Sequence, residues 1–264
     1  MKKPVKVEFG DNSKDSRHKS RRKFIKLGGL AFAGSSFLMY SCSDDDDINP
    51  DPEPNPNPNP DIFDLGPGNL GILNYAFALE QLEAAFYAEV REGSYYAGAS
   101  DEEKQIIDDL YYHEVIHRDF FQTAITAAVG EGNEDMVLPE LEFDFSSVDF
   151  SDRMTVLTTA RLLEDTGVAA YNGAGRLIDV SAENGGTYLL LAGKIVSVEA
   201  RHASAIADLI EPNTTAFARD EVLVEIGGTG PAYDKATPPS DILSAVGDTG
   251  FVETEFTADQ LPTG

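Results

Sequence analysis

Two short patterns in the sequence combine a carboxylate with an imidazole one helical turn apart. Both read Glu-x-x-His: one spans Glu114 to His117, and the other spans Glu199 to His202. On a helix, residues three apart share a face, so each pattern presents an oxygen and a nitrogen ligand side by side. Such ligands accept iron, manganese and zinc. One pattern alone is a weak signal among 46 acidic residues, where it arises easily by chance.

Both patterns belong to a longer repeat, which makes a metal site a stronger prediction. In each half of the chain, a Glu-x6-Tyr pattern begins 34 or 35 residues before the Glu-x-x-His pattern. These residues are Glu80 with Tyr87 in the first half and Glu164 with Tyr171 in the second. The same four residue types therefore occur twice in the same order. The predicted metal ligands are Glu80, Glu114, His117, Glu164, Glu199 and His202.

Six ligands of these types fit two metal ions, and we expect iron or manganese. Four carboxylates supply a charge that balances two divalent ions; two of them can bridge while the imidazoles bind terminally. Without metal, so many buried acids would repel one another and raise one another's pKa values. Tyr87 and Tyr171 have several compatible roles: a hydrogen bond to a ligand, transfer of an electron, or ordinary packing in the core.

Two other polar residues lie beside the predicted ligands. Glu83 also faces apolar neighbours, but its counterpart 84 residues further on is Gly167, whereas the counterpart of Glu80 is Glu164. The repeat therefore selects Glu80 as the ligand and leaves Glu83 as an acid on the helix surface or near the ligands. We interpret His113, which directly precedes the first Glu-x-x-His pattern, as an incidental neighbour of the site, either on the flank of the helix or beside the ligands.

The same stretch also reads His-Glu-x-x-His, a pattern by which many zinc proteases hold their metal. A protease needs a third protein ligand and a Glu114 that does not touch the metal. The extended motif requires glycine and histidine where this chain has Phe120 and Thr123. Glu134 or Glu140 could supply the third ligand in another version. The protease interpretation leaves the other half of the repeat unexplained, so we rank it below a two-metal site.

Helices must position these side chains. Apolar residues at three- and four-residue spacing predict four helices, over residues 69–90, 100–128, 152–180 and 187–210. Ser100 and Glu103 form a capping box that opens the second helix. Residues 130–150 carry glycine, proline and acids without a helical stripe, so they predict a long connection. A tight turn is expected at 184–186.

Two helical hairpins joined by one long crossover have the connectivity of the ferritin-like four-helix bundle. The predicted fold class is therefore all-α, with this bundle over residues 67–212 and its long crossover between the second and third helices. The ligand set is that of di-iron and di-manganese carboxylate proteins with this fold. Residues 213–264 predict a loop-rich C-terminal extension that packs on the bundle, with one short helix near 240–246.

Three stretches resemble a known family: Leu73 to Ala76 (LNYA), Leu79 to Tyr87 (LEQLEAAFY) and Val198 to Ala203 (VEARHA). They are similar to secreted ferritin-like domain proteins, which include plant desiccation-related proteins, and the resemblance covers about residues 68–212. It implies a ferritin-like fold and a dinuclear site, but that family has no single well-defined reaction. More distantly, the chain resembles manganese catalases and rubrerythrins.

The N-terminus resembles a bacterial export signal over residues 1–42. Ser20 to Lys26 (SRRKFIK) resembles the twin-arginine motif, and the apolar run that follows is short for a membrane span. Met39 to Cys42 (MYSC) resembles a lipobox, which would make Cys42, the only cysteine, the site of lipidation. Residues 43–66 are acidic and rich in Asn-Pro, which predicts an extended stalk. We expect a lipid anchor in the cell envelope, facing the periplasm or the cell surface.

The charge of the chain argues against two classes of partner. Beyond residue 42 the chain carries 10 basic and 43 acidic side chains, a formal charge of −33. Nucleic acid and anionic membrane surfaces are therefore poor partners, and we expect membrane contact only through the lipid anchor.

Two functions from different classes fit these features. The first is dinuclear oxidoreductase chemistry on peroxide or dioxygen, of peroxidase or catalase type, with a small oxidant as the partner. The second is a non-catalytic, metal-binding or stress-protective surface lipoprotein, whose metal only stabilises the fold. The sequence leaves open whether the protein is an enzyme. A mineral-storing cage is disfavoured, because the stalk and the acidic tail would hinder assembly of a closed shell.

Overall fold

The computed structural model describes residues 62–228 and 230–263, so the predicted signal, Cys42 and nearly all of the stalk lie outside it. The helices of this part are α1 (Gly68–Glu92), α2 (Ser94–Gly98), α3 (Asp101–Val129), α4 (Arg153–Gly175), α5 (Gly185–Ile210) and α6 (Pro239–Thr249). Its strands are β1 (Phe63–Asp64), β2 (Leu223–Glu225), β3 (Pro231–Asp234) and β4 (Phe256–Thr257). None of the described helices is long and apolar enough to cross a bilayer.

The four long helices form a bundle of two hairpins, in which α1 packs on α3 and α4 packs on α5. This mostly helical architecture, with little sheet and a loop-rich tail, confirms the predicted fold class. Ser100 caps α3 as expected, because its hydroxyl accepts a hydrogen bond of 3.2 Å from the Glu103 amide, but the Glu103 carboxylate accepts from Tyr95 and Arg153 instead of completing the capping box. Asp152 caps α4 in the same way, accepting from the Thr155 amide at 2.7 Å.

The helix α4 ends at Gly175, five residues before the predicted end. The backbone after it is held by the side chain of Asn69 in α1, whose amide group donates to the Asp179 carbonyl at 2.9 Å. The amide oxygen of Asn69 in turn accepts from the Asp179 amide at 2.8 Å. These two bonds join residues 110 positions apart, and they hold the Asp179 backbone groups away from a continued helix.

The crossover between α3 and α4 runs along α1, which is the central helix, with seventeen of its 25 residues buried. Asn74 donates to the Met136 carbonyl at 3.0 Å and accepts from the Leu138 amide at the same distance. Two turns further along α1, Gln81 accepts from the Leu141 amide at 2.9 Å. The crossover therefore runs parallel to α1, from its N-terminal part towards its C-terminal part. It brings the chain back to the end of the bundle where α3 started, so α4 runs parallel to α3 and antiparallel to α1.

The C-terminal residues pack against α4 and the crossover. The Thr237 amide donates to the Ala169 carbonyl at 3.0 Å, and the adjoining backbone lies tightly against Gly173. A β-bridge joins Phe143 of the crossover to Val252. Strand β1 pairs in parallel with β4, and Leu65 directly after β1 is fully buried. The last few residues that the sequence assigns to the stalk therefore belong to the folded part.

Candidate metal centre

Each long helix of the bundle places one glutamate in the interior, and all four side chains are completely buried. They are Glu80 on α1, Glu114 on α3, Glu164 on α4 and Glu199 on α5. Because each lies within the apolar stripe that buries its helix, packing of the bundle forces the four carboxylates together. The histidines of the two Glu-x-x-His patterns follow one turn later and are also buried.

The six predicted ligands form two overlapping clusters. The first cluster comprises Glu80, Glu114, His117 and Glu199, and the second cluster comprises Glu114, Glu164, Glu199 and His202. In each cluster, one potential ligand atom from every residue lies within 4.8 Å of the others. Glu114 and Glu199 belong to both clusters. The structure thus brings together all six residues that the sequence selects, in an arrangement compatible with a dinuclear metal site.

The two shared glutamates offer one oxygen to each histidine. Glu114 places Oε2 3.3 Å from His117 Nδ1 and Oε1 2.7 Å from His202 Nδ1. Glu199 places Oε1 2.9 Å from His117 Nδ1 and Oε2 3.3 Å from His202 Nδ1. The other two carboxylates contact one histidine each: Glu80 lies 3.2 Å from His117, and Glu164 lies 3.3 Å from His202.

Several of these buried atoms have no hydrogen-bond partner although they lie close to one another. They include Glu80 Oε2, Glu114 Oε1, Glu164 Oε2, both oxygens of Glu199 and His202 Nδ1. Buried polar atoms without partners cost free energy and are rare in folded proteins. Here they converge on a common space, as the ligand atoms around an ion do. The donor set of oxygen and imidazole nitrogen therefore fits a divalent metal ion such as iron, manganese or zinc.

The repeat in the sequence becomes an approximate twofold symmetry in the structure. On the antiparallel pair α1 and α4, Tyr87 donates a hydrogen bond to Glu164 at 2.5 Å, and Tyr171 donates one to Glu80. Each tyrosine thus donates a hydrogen bond to the unshared glutamate of the other repeat, which is the glutamate that belongs to only one cluster. Of the roles considered for these tyrosines, a hydrogen bond to a ligand is the one that their contacts support.

The pKa values of the ligands follow from burial and from their mutual charges. Burial and the charge of Glu199 raise the pKa of Glu114 to about 8. Burial raises the pKa of Glu164 to about 7, although the charge of His202 opposes the shift. Burial would raise the pKa of Glu199 too, but the close contacts and positive charges of both histidines lower it to about 2.

For the two histidines, burial would lower the pKa, whereas the neighbouring carboxylates raise it. Burial would lower the pKa of His117, but the charge of Glu80 and the close carboxylates of Glu114 and Glu199 raise it far above its ordinary value. The pKa of His202 is raised for the same reasons, with Glu164 as the main charge. Without metal, the centre therefore holds protons at neutral pH.

Glu83 and His113 are both closer to the centre than their sequence context shows. Glu83 is only 3% exposed, which rules out a place on the helix surface, and one of its oxygens fits into the space left by Gly167. Burial and the charges of the ligand glutamates raise its pKa well above the ordinary value. It belongs to neither cluster.

Of the two places expected for His113, the structure supports the one beside the candidate ligands, because its Nδ1 lies 2.8 Å from His202 Nε2. The sequence does not predict this particular contact, which joins two helices across the bundle. Its position four residues before His117, on nearly the same face of α3, was the available signal.

The arrangement does not fit a zinc protease. That interpretation requires both His113 and His117 at one metal and Glu114 away from it, but Glu114 lies in both clusters and His113 in neither. The proposed third ligands, Glu134 and Glu140, are exposed residues of the crossover.

The fold and the cluster define a four-helix-bundle protein with a buried carboxylate–histidine site. Residues 68–212 match the sequence model of the ferritin-like domain. This match spans more than half of the chain, so the protein belongs to the ferritin-like domain family, and the resemblance seen in the sequence is confirmed. No curated protein matches the chain.

Proposed function

We propose that this protein is a dinuclear metal oxidoreductase that acts on peroxide or dioxygen. One observation carries the proposal: two ligand clusters share Glu114 and Glu199, while each keeps one histidine and one glutamate of its own. A single structural ion would need only four of these ligands. A repeat that provides two clusters around shared carboxylates suits a pair of ions held close together.

Glu80 and His117 would hold one ion, Glu164 and His202 the other, and Glu114 and Glu199 would lie between them. When bound, a pair of iron or manganese ions supplies electrons to an oxidant or takes them from it. Four carboxylates balance the charge of two divalent ions, so the occupied centre would be close to neutral in the buried interior.

The surrounding residues keep the ligands in place and limit the access of water. All four glutamates have no exposed surface, and Tyr87 and Tyr171 fix the two unshared carboxylates by hydrogen bonds. Burial raises the pKa of both tyrosines well above the ordinary value, so each phenol keeps its proton and remains a donor at neutral pH. Carboxylates that are already held by hydrogen bonds would have little to rearrange when an ion binds.

We further propose that the reaction takes place in the cell envelope, where the protein would remove oxidants. This location is supported by the twin-arginine motif and by the lipobox that ends at Cys42. The twin-arginine route exports folded proteins, so the metal can be chosen in the cytoplasm before export.

The test is to measure the metal content of protein purified from its native envelope without chelator, together with hydrogen peroxide turnover on the same sample. We expect about two iron or manganese ions per chain and turnover that His202→Ala abolishes. Two ions without turnover of peroxide or dioxygen would instead favour the non-catalytic, stress-protective function. No metal, or one zinc ion, would contradict the dinuclear site itself.

A further inference from the structure

The imidazole of His202 has two nitrogens, and they face different surroundings. Its Nδ1 faces the carboxylates of the second cluster, at 2.7 Å from Glu114 and 3.3 Å from Glu164. Its Nε2 lies 2.8 Å from Nδ1 of His113, and the two ring planes are nearly parallel, with an angle of 14° between them and centroids 5.1 Å apart, so the rings meet edge to edge. His113 itself is exposed, so it connects the buried ligand to the surface of α3.

This contact determines which tautomer His202 adopts when it binds a metal. Nδ1 can bind an ion only through its free lone pair, so the proton of the neutral ring must be on Nε2. The Nε2–H group then donates to Nδ1 of His113, which carries its own proton on the other nitrogen. A hydrogen bond of this kind fixes the orientation of a ligand imidazole and increases its basicity.

The other half of the repeat lacks this arrangement. An offset of 85 residues relates Glu114 to Glu199 and His117 to His202, and it relates His113 to Val198. Because α3 and α5 run antiparallel with His113 opposite His202, the same register places Val198 opposite His117. The side chain of valine has no atom that can accept a hydrogen bond. The two histidine ligands are therefore supported differently.

We propose that His113 is a positioning residue that makes the two ion sites unequal, so that the second cluster binds its ion more tightly and fills first. The inference rests on the proposed two-metal site but not on any turnover. An unequal pair would let the protein keep one ion firmly while the ion at His117 is exchanged or lost more easily. The asymmetry would then set the order in which the metal centre is assembled.

Three substitutions test this role. His113→Val introduces the residue of the second repeat and removes the acceptor. His113→Asn keeps an acceptor, since the asparagine Oδ1 occupies nearly the same place as the histidine Nδ1. Val198→His provides the first cluster with the partner that it lacks. The matched control, Val198→Ala, changes the same position without adding an acceptor.

The measurement is a calorimetric titration of the metal-free full chain with Mn²⁺. For the unsubstituted protein we expect two ions with unequal affinities. His113→Val should weaken the tighter ion by about 10- to 100-fold, as is typical for loss of a residue that supports a ligand, and leave the other ion unchanged. His113→Asn should recover most of that loss, and Val198→His should tighten the weaker ion.

Several outcomes would overturn the inference. One is a His113→Val protein that binds both ions as the unsubstituted protein does. Another is a His113→Asn protein that is as weak as His113→Val, since a purely steric role would produce that result. A third is a Val198→His protein no tighter than Val198→Ala. If the proposed oxidoreductase activity is wrong, the protein should bind two ions without turning over peroxide or dioxygen. The affinities of the two ions can still be measured in that case.

Discussion

Among the six candidate ligands, Glu114 and Glu199 differ from the rest, because each faces both histidines. Glu80 and Glu164 each face one histidine, and each is held by a tyrosine from the other repeat. The roles of the four glutamates can therefore be separated by substitution, although all four are equally buried.

Substitution of a shared glutamate should affect both ions, and substitution of an unshared one should affect only one. We expect Glu114→Ala to reduce the metal content from about two ions per chain to nearly none, and Glu80→Ala to leave about one. Elemental mass spectrometry on the purified variants measures this directly. Glu83→Ala is the matched control, because Glu83 is a buried acid of α1 outside both clusters, and it should keep both ions. Two ions retained by Glu114→Ala would contradict the assignment of the ligands.

The tyrosines should affect metal retention through their hydroxyl groups alone. Tyr87→Phe removes the donor to Glu164 and leaves a ligand carboxylate free to rotate, so we expect the ion of the second cluster to bind about tenfold more weakly. Competition with a chromogenic chelator measures the change. Tyr75→Phe is the control, since the Tyr75 hydroxyl is buried without a hydrogen-bond partner, and its loss should leave metal binding unaltered. Equal effects of the two substitutions would point to packing rather than to the hydrogen bond.

At the scale of secondary structure, the sequence predicts what depends on local periodicity and misses what depends on distant contacts. The four long helices and the inward ligands follow from three- and four-residue spacing. The end of α4 does not, because it depends on Asn69, 110 residues before Asp179. The pairing of β1 with β4 joins segments about 190 residues apart, and neither two-residue strand has a sequence pattern that predicts this pairing.

The same distinction applies to the candidate site. The repeat selects the six candidate ligands, because each half of the chain carries the same residue types in the same order. The contact between His113 and His202 depends on how two helices align, which spacing within one helix does not show. The burial of the Glu83 side chain depends in the same way on the space that Gly167 leaves in the facing helix.

The attachment of the C-terminal extension to α4 can be tested at one glycine. A Cβ atom at Gly173 would lie 1.8 Å from the carbonyl oxygen of Thr237, so Gly173→Ala must push the extension away. We expect a loss of about 1–3 kcal/mol in the free energy of unfolding, as in other overpacked sites. Urea denaturation measures the change.

The control substitution lies two residues further along α4. At Gly175 the nearest atom to a new Cβ would be a Leu189 methyl group at 3.9 Å, an ordinary contact. Gly175→Ala should therefore be neutral or stabilise the protein by up to about 1 kcal/mol, because alanine favours the helix. A Gly173→Ala protein as stable as Gly175→Ala would mean that the extension does not press on this helix.

At the scale of the whole molecule, the buried carboxylates carry a free-energy cost that bound metal ions would offset. The chain buries four ligand carboxylates and Glu83 in one small volume, and only two histidines supply positive charge there. Charges without compensation are expensive in a protein interior. The metal-free bundle therefore has to hold protons in place of ions, and its stability should depend on pH around neutrality.

The sign of this dependence follows from the shifted pKa values. Glu164 and Glu114 keep protons in the folded state up to pKa values of about 7 and 8, whereas the unfolded chain releases them near the ordinary value for glutamate. The folded state thus binds more protons across this range, so the stability falls as pH rises. His117 and His202 act in the same direction. Their raised pKa values give a stabilisation that is complete below the unfolded pKa and is lost as pH rises.

We therefore expect the chelator-treated protein to become less stable from pH 5.5 to pH 8.5, by up to about 1.4 kcal/mol per pH unit for each extra proton held. Urea denaturation at constant ionic strength measures the slope. Surface carboxylates are ionised throughout this range and contribute little to it. Glu114→Gln should reduce the slope, because it removes one of the groups that titrate.

Metal-loaded protein should show the opposite trend, since ions compete with protons for the same ligands and bind better as pH rises. A metal-free protein whose stability is constant or increases over this range would show that the buried centre does not hold the protons assigned to it.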